Sequence, residues 1–227
     1  MTVDNIVKAV RLCFDEEASN DANFANAQGG DSTRMNNIIK SKIGDALTWV
    51  CLHASVEMLT GNDGSSAANF VADINCSGSD ITDINIGGRV TIESDFLRLI
   101  RVRGAGWHRG VMTPLSEDSE EYLQLYDTNG AAATVDRPQA AIILAKDKKL
   151  EVYPKPNSFV YTYVKDPLAS GTDYSSVSSV TVPNKAHASF IYYLAYLTLS
   201  AYGDPRAPRM LEIAIMNLSR TDIIDKK

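Results

Sequence analysis

The sequence predicts an α+β fold, a terminal helical bundle carrying an inserted antiparallel β-sheet or small barrel. Three observations predict it. Apolar residues recur at helical spacing over roughly residues 3 to 60 and again over 184 to 220. Between about 70 and 165 the period changes and β-branched, aromatic and aliphatic residues dominate. Each terminal stretch is too short to bury a core alone, so the two pack on each other and leave the β block as an insertion. The division is 1–66 with 183–227 as the helical bundle and 67–182 as the β-rich insert.

The elements follow in order. Val3, Ile6, Val7, Val10, Cys13 and Phe14 form the stripe of a helix over 3–17. The small, polar, glycine-rich stretch 18–33 breaks it and is long enough to be mobile or ordered by a partner. Asp31 or Ser32 caps one long helix with the stripe Met35, Ile39, Ile43, Ala46, Leu47, Val50, Ala54, Met58, and Gly61 ends it. Ile84 to Ile92 reads as a hairpin that turns at Gly87-Gly88, since glycine supplies positive φ. Strands follow at 96–102, 141–144, 150–153 and 159–164, with AKDKK linking the second to the third. In the first of these both faces start apolar, and Arg101 and Arg103 then project together. The Ser-rich stretch 170–182 is too polar to order itself by burial. Phe190, Ile191, Leu194, Leu197 and Ala201 line a helix that stops at Gly203, and Asp204 and Pro205 start the last helix.

Composition excludes several functions. A net charge of −6 counts against general phosphate binding, although an acidic surface suits a conduit that DNA slides past. No run reaches the ~18 apolar residues needed to span a bilayer. The N-terminus carries acids where a secretion signal needs a basic start, so a soluble, non-secreted protein is expected. Cys13, Cys51 and Cys76 are odd in number and lack a CxxC, which reads as three small buried hydrophobes.

No catalytic, cofactor or metal residue is assigned. Cys51 and His53 lie about 200° apart around a helix and cannot grip one ion. His108 and His187 have no second ligand at a usable spacing. Gly104-Ala105-Gly106 with Gly110 lacks the spacing and the following helix of a dinucleotide loop. GNDGSS at 61–66 lacks the ligand order of a calcium loop. The acidic run Glu117, Asp118, Glu120, Glu121 has two readings: a solvated loop, or a patch that meets Arg101, Arg103 or Arg109 of an adjacent copy. Tyr192, Tyr193, Tyr196 and Tyr202 spread over more than one helix face, so Tyr192 and Tyr196 are candidate interface residues.

Within the middle block, Phe96-Leu97-Arg98-Leu99, Trp107 with Arg109, Glu121-Tyr122, Asn129, Arg137-Pro138 and Leu150-Glu151-Val152-Tyr153-Pro154 carry a likeness. This run resembles a segment of the head-to-tail connector, or adaptor, ring proteins of crAss-like tailed bacteriophages, and covers about a quarter of the chain. The helical ends resemble the bundle of podovirus-type adaptors. The resemblance implies a non-enzymatic virion subunit at the head-tail junction, in the host cytoplasm during assembly. It implies a ring of twelve copies that binds the portal protein on one side and other tail or ring proteins on the other, with DNA passing without sequence-specific binding. Two other classes stand beside it: a ligand- or receptor-binding module with a β-rich binding domain, and an enzyme of unknown type. Oligomeric mass separates them.

Overall fold

The computed structural model of the chain describes residues 1–18, 30–60, 70–84, 87–127, 132–144 and 148–219. In chain order the elements are α1 (Val3–Ala18), α2 (Gly30–Ser41), α3 (Ile43–His53), α4 (Val56–Leu59), β1 (Val71–Ser77), β2 (Thr82–Ile84), β3 (Gly87–Thr91), β4 (Phe96–Gly104), β5 (Leu115–Ser116), α5 (Glu120–Asp127), β6 (Gln139–Ile143), β7 (Lys149–Tyr153), β8 (Ser158–Lys165), α6 (His187–Ala201) and α7 (Ala207–Ser219). The fold is α+β. Contacts divide it into two compact units, Met1–Phe70 with Asp166–Lys227, and Val71–Lys165.

In the helical unit, α1 buries the expected stripe from Val3 to Phe14. Helix α6 is apolar nearly all round, the pattern of a helix enclosed by neighbours, and it packs against α1, α2, α3 and α7. Its end is a Schellman motif: Gly203 at φ 67° lets its N–H reach Ser200 O at 3.1 Å and that of Asp204 reach Leu199 O at 3.0 Å. The last helix starts at Ala207, later than Asp204-Pro205 suggested. Asp204 instead closes a turn, accepting Arg206 N–H at 2.9 Å and the Arg206 guanidinium at 2.7 Å.

The single long helix expected before Gly61 is three helices. At the first break Lys42 N–H is shared between Ile38 O and Ile39 O at 3.2 and 3.1 Å, and Ser41 Oγ donates back to Ile38 O at 2.8 Å. At the second, Ala54 and Ser55 are extended. The buried stripe survives both breaks because Ile39, Ile43, Ala46, Leu47, Val50, Ala54 and Met58 all still reach the core. Helix α2 starts at Gly30, so Asp31 and Ser32 fall inside its first turn and not at its cap; the loop over 19–29, Gly61 with GNDGSS, Asn129, the linker over 145–147 and the tail beyond 219 lie outside the described residues.

The stretch 170–182 is not left unanchored. The Met1 amino group donates to Val180 O at 2.7 Å, Val180 N–H to Met1 O at 2.8 Å and Val3 N–H to Ser178 O at 3.0 Å, which buries Val180 and Val182. A short antiparallel ladder orders a polar segment that side-chain burial alone would not.

Among its described residues the strand unit holds two sheets. One is antiparallel, in the order β1-β8-β4; the other is mixed, in the order β2-β3-β7-β6-β5, with only β5-β6 parallel. Neither closes into a barrel. Phe96, Leu99, Val102, Phe159 and Tyr161 of the first sheet and Val90, Leu150 and Val152 of the second share one apolar core. Strict alternation cannot put Phe96, Leu99 and Val102 on one face. Two register shifts in β4, between Phe96 and Arg98 and between Leu99 and Arg101, add the extra residue each time and explain the doubly apolar start.

Gly87-Gly88 is not the hairpin turn. Thr82 pairs with Arg89 and Ile84 with Gly87, so both glycines lie in β3; residues 85–86 are outside the described residues. The pair is needed for close packing: a Cβ on Gly87 would run into the Tyr153 ring, and one on Gly88 would come within 2.5 Å of Ile81 Cγ2.

Candidate functional site

The charged residues singled out by the sequence all belong to the strand unit, where two rigid supports display them. The basic support is the end of β4 and the loop after it. Arg101 Nε donates to Thr162 Oγ1 at 3.3 Å, and that hydroxyl in turn donates to Asp73, forming a row across the antiparallel sheet. Arg103 and Arg109 are exposed. Gly106, at φ 81°, makes the turn between them, and Val102 and Val111 exchange backbone bonds at 2.7 and 2.8 Å. Trp107 pins this loop, with its ring against Gly104 and its Nε1 donating to Pro154 O at 3.2 Å. The Gly-Ala-Gly sequence therefore serves packing and turning.

The acidic run is not all loop. Ser119 Oγ accepts Tyr122 N–H at 3.2 Å, capping α5, so Glu120 and Glu121 fall in its first turn, where the positive helix end favours carboxylates by about 0.3–1 kcal/mol each. Glu117 and Asp118 precede the cap. Among the described residues no ion pair joins Arg101, Arg103 or Arg109 to Glu117, Asp118, Glu120 or Glu121.

On α6, Tyr196 and Tyr192 are half-buried. Tyr196 packs on Tyr193 at 5.4 Å between ring centroids, Tyr193 stacks on Trp49 at 4.0 Å, and Trp49 on His53 at 4.9 Å. This ladder gives Tyr196 a partner within the chain. Burial is the main cause that raises the Tyr193 hydroxyl above its ordinary pKa.

Each histidine has a local role. His53 Nδ1 lies 2.8 Å from Trp49 O, His108 Nδ1 meets Asp136, and His187 touches Met1. Cys13, Cys51 and Cys76 are free thiols, all buried, and burial pushes the Cys76 thiol up to about 11. Among the described residues, no group of three or more His, Cys, Asp or Glu side chains could hold a metal ion, and no helix is long and apolar enough to cross a membrane.

Sequence reasoning missed a buried polar cluster. Glu151 is 0% exposed and faces away from the main core, under α5. Arg89 reaches its Oε1 through Nε at 2.8 Å and also through Nη2, while Tyr122 and Tyr153 donate to its Oε2 at 3.0 and 2.8 Å. The hub ties β3, β7 and α5 together. A glutamate alternating with Leu150 and Val152 was the available signal; its partner Arg89 sits directly opposite it in register.

Charges and aromatic rings are displayed on surfaces here, the arrangement of a protein that works by contact. That class is confirmed by comparison: a family model described as SU10 adaptor protein matches residues 1–219. The chain belongs to the SU10 adaptor protein family and is a structural phage adaptor, a component of the virion that associates with other phage proteins. No curated protein matches it. The family carries the adaptor part of the resemblance seen in the middle block.

Proposed function

We propose that this adaptor is a non-enzymatic ring subunit at the head-to-tail junction of a crAss-like phage, bridging the portal protein and the tail around the DNA conduit. Twelve copies form the ring, further tail or ring proteins bind the opposite side, and the subunits pass through the host cytoplasm during assembly. The family match over residues 1–219 carries this reading. The net charge of −6 supports it, because a wall that repels phosphate lets DNA slide without sequence-specific binding. Copy-to-copy contacts are assigned to Arg101, Arg103 and Arg109 against Glu117, Asp118, Glu120 and Glu121, with Tyr192 and Tyr196 as a second surface. The two units are taken as a helical bundle and an inserted β-rich domain, with the bundle packed on neighbours or the portal.

Cryo-EM of the native particle tests the proposal. The expected result is twelve copies in a ring directly below the portal. A different copy number overturns the stoichiometry, and density at a tail tip or fibre selects the receptor-binding module instead.

A further inference from the structure

The strand unit carries two patches of opposite charge, and among the described residues no ion pair joins them within one chain. The first is the basic tip. The turn Thr134–Arg137 is closed by backbone bonds of 3.3 and 3.0 Å between its ends, and His108 locks it to the Trp107 loop by donating its N–H to Val135 O at 3.0 Å and by its contact with Asp136. His108 thus ties the two loops together at two points. Arg109 and Arg137 in these loops and Arg103 at the end of β4 are exposed, as are two apolar side chains, Met112 at 72% and Val135 at 42%. The Val102–Val111 bridge places Met112 beside Arg101, so apolar surface and cations lie side by side.

The second patch is the outer face of α5. Leu123 is 55% exposed and lies between Glu120, three residues before it, and Asp127, four after it, on one helical face. Glu117 and Asp118 extend the acidic rim at the helix start. The helix cannot roll, because Tyr122 on its inner side is bonded to Glu151. One patch is apolar with a basic rim and the other apolar with an acidic rim. Rigid surfaces lose little freedom on docking, which favours affinity.

We infer that the basic tip of one copy seats the α5 face of a second copy. The inference rests on the ring reading for its partner and goes beyond it in naming the tip turn, Met112, Val135, Arg137, Leu123 and Asp127 as the contact. The two patches are different surfaces of one unit, so the contact is head-to-tail, and each added copy leaves one patch of each kind free until the ring closes.

Crosslinking in assembled particles tests it. Thr113→Cys lies beside Met112 and Gln124→Cys beside Leu123, both exposed, and the native cysteines are buried. With a bis-maleimide, particles carrying both substitutions should give covalent dimers, trimers and longer species, while either single variant gives monomer. A ladder that stops at dimer overturns the head-to-tail geometry. Monomer alone from the double variant, in particles whose images still show the ring, overturns the contact and spares the ring. Absence of the chain from the head-tail junction is the separate failure of the ring reading.

Discussion

The two units handle buried polar groups in opposite ways. The helical unit is assembled from two distant stretches of chain and its interior is mostly apolar; the buried hydroxyl of Thr198 is satisfied within its own helix by Leu194 O at 2.8 Å, while those of Thr48 and Ser189 are buried with no hydrogen-bond partner among the described residues. The strand unit is one continuous stretch, yet it buries Glu151 between a sheet and a helix and supplies three separate elements to bond it. Apolar stripes specify that a helix is buried but leave its rotation to packing. A buried carboxyl group specifies which face α5 covers and at which residue, because any other placement leaves the carboxyl, Arg89 or a tyrosine hydroxyl unpartnered. The unit that exposes Arg103, Arg109, Glu120 and Glu121 is thus the unit held by a buried polar hub.

Breaking the hub is the strongest test of that contrast. Glu151→Ala should destabilise the strand unit by about 3–5 kcal/mol, and Glu151→Gln, which keeps an acceptor, by about 1–3 kcal/mol. Each unit holds one of the two tryptophans, Trp49 and Trp107, so urea unfolding in a Trp49→Phe background reads the strand unit through Trp107. Equal midpoints for wild type and Glu151→Ala would show the hub to be dispensable.

On the apolar side, Ile6→Ala removes a fully buried side chain from α1 and should cost about 2–4 kcal/mol. The helical far-UV signal should then melt at lower urea while the Trp107 transition stays put. A matching shift in both probes contradicts independent units.

Gly88→Ala sharpens the comparison at the sheet, where the new Cβ would meet Ile81 Cγ2 at 2.5 Å. Overpacking of about 1–3 kcal/mol is expected, again at Trp107. Unchanged stability means that Ile81 yields at no cost.

The smallest effect is a pH dependence confined to the helical unit. Burial, and then the nearby N-terminal charge, hold His187 below its ordinary pKa of 6.5. The unfolded chain takes up this proton first, so stability falls as pH drops below about 6.5, levels once the folded form is protonated too, and is unaffected above. His187→Gln should lessen the loss between about pH 7 and about pH 5. An identical slope in the variant excludes His187 as its source.

The sequence by itself determined the α+β class, the buried stripe of α1, the stop at Gly203 and the strands β4, β7 and β8; of the stripe expected on α6, Phe190, Ile191 and Leu194 are buried, while Leu197 is half-buried and Ala201 exposed. Each follows from the spacing of neighbouring apolar residues or from a local φ preference, and both are properties of a short window. The display of Arg103, Arg109, Glu120 and Glu121 on the surface was legible for the same reason, since charge avoids the core unless something distant compensates it. Glu151 is that exception, and its compensation came from Arg89, 62 residues away, and from Tyr122 on a separate helix. Only the tertiary structure decided this. It also decided that Gly87-Gly88 serves the Tyr153 ring and Ile81 and not a turn, that the long stripe after residue 30 breaks twice, and that 178–180 is ordered by the N-terminus. In each case the deciding energy is a contact or hydrogen bond between residues far apart in the chain, which no local window of sequence contains.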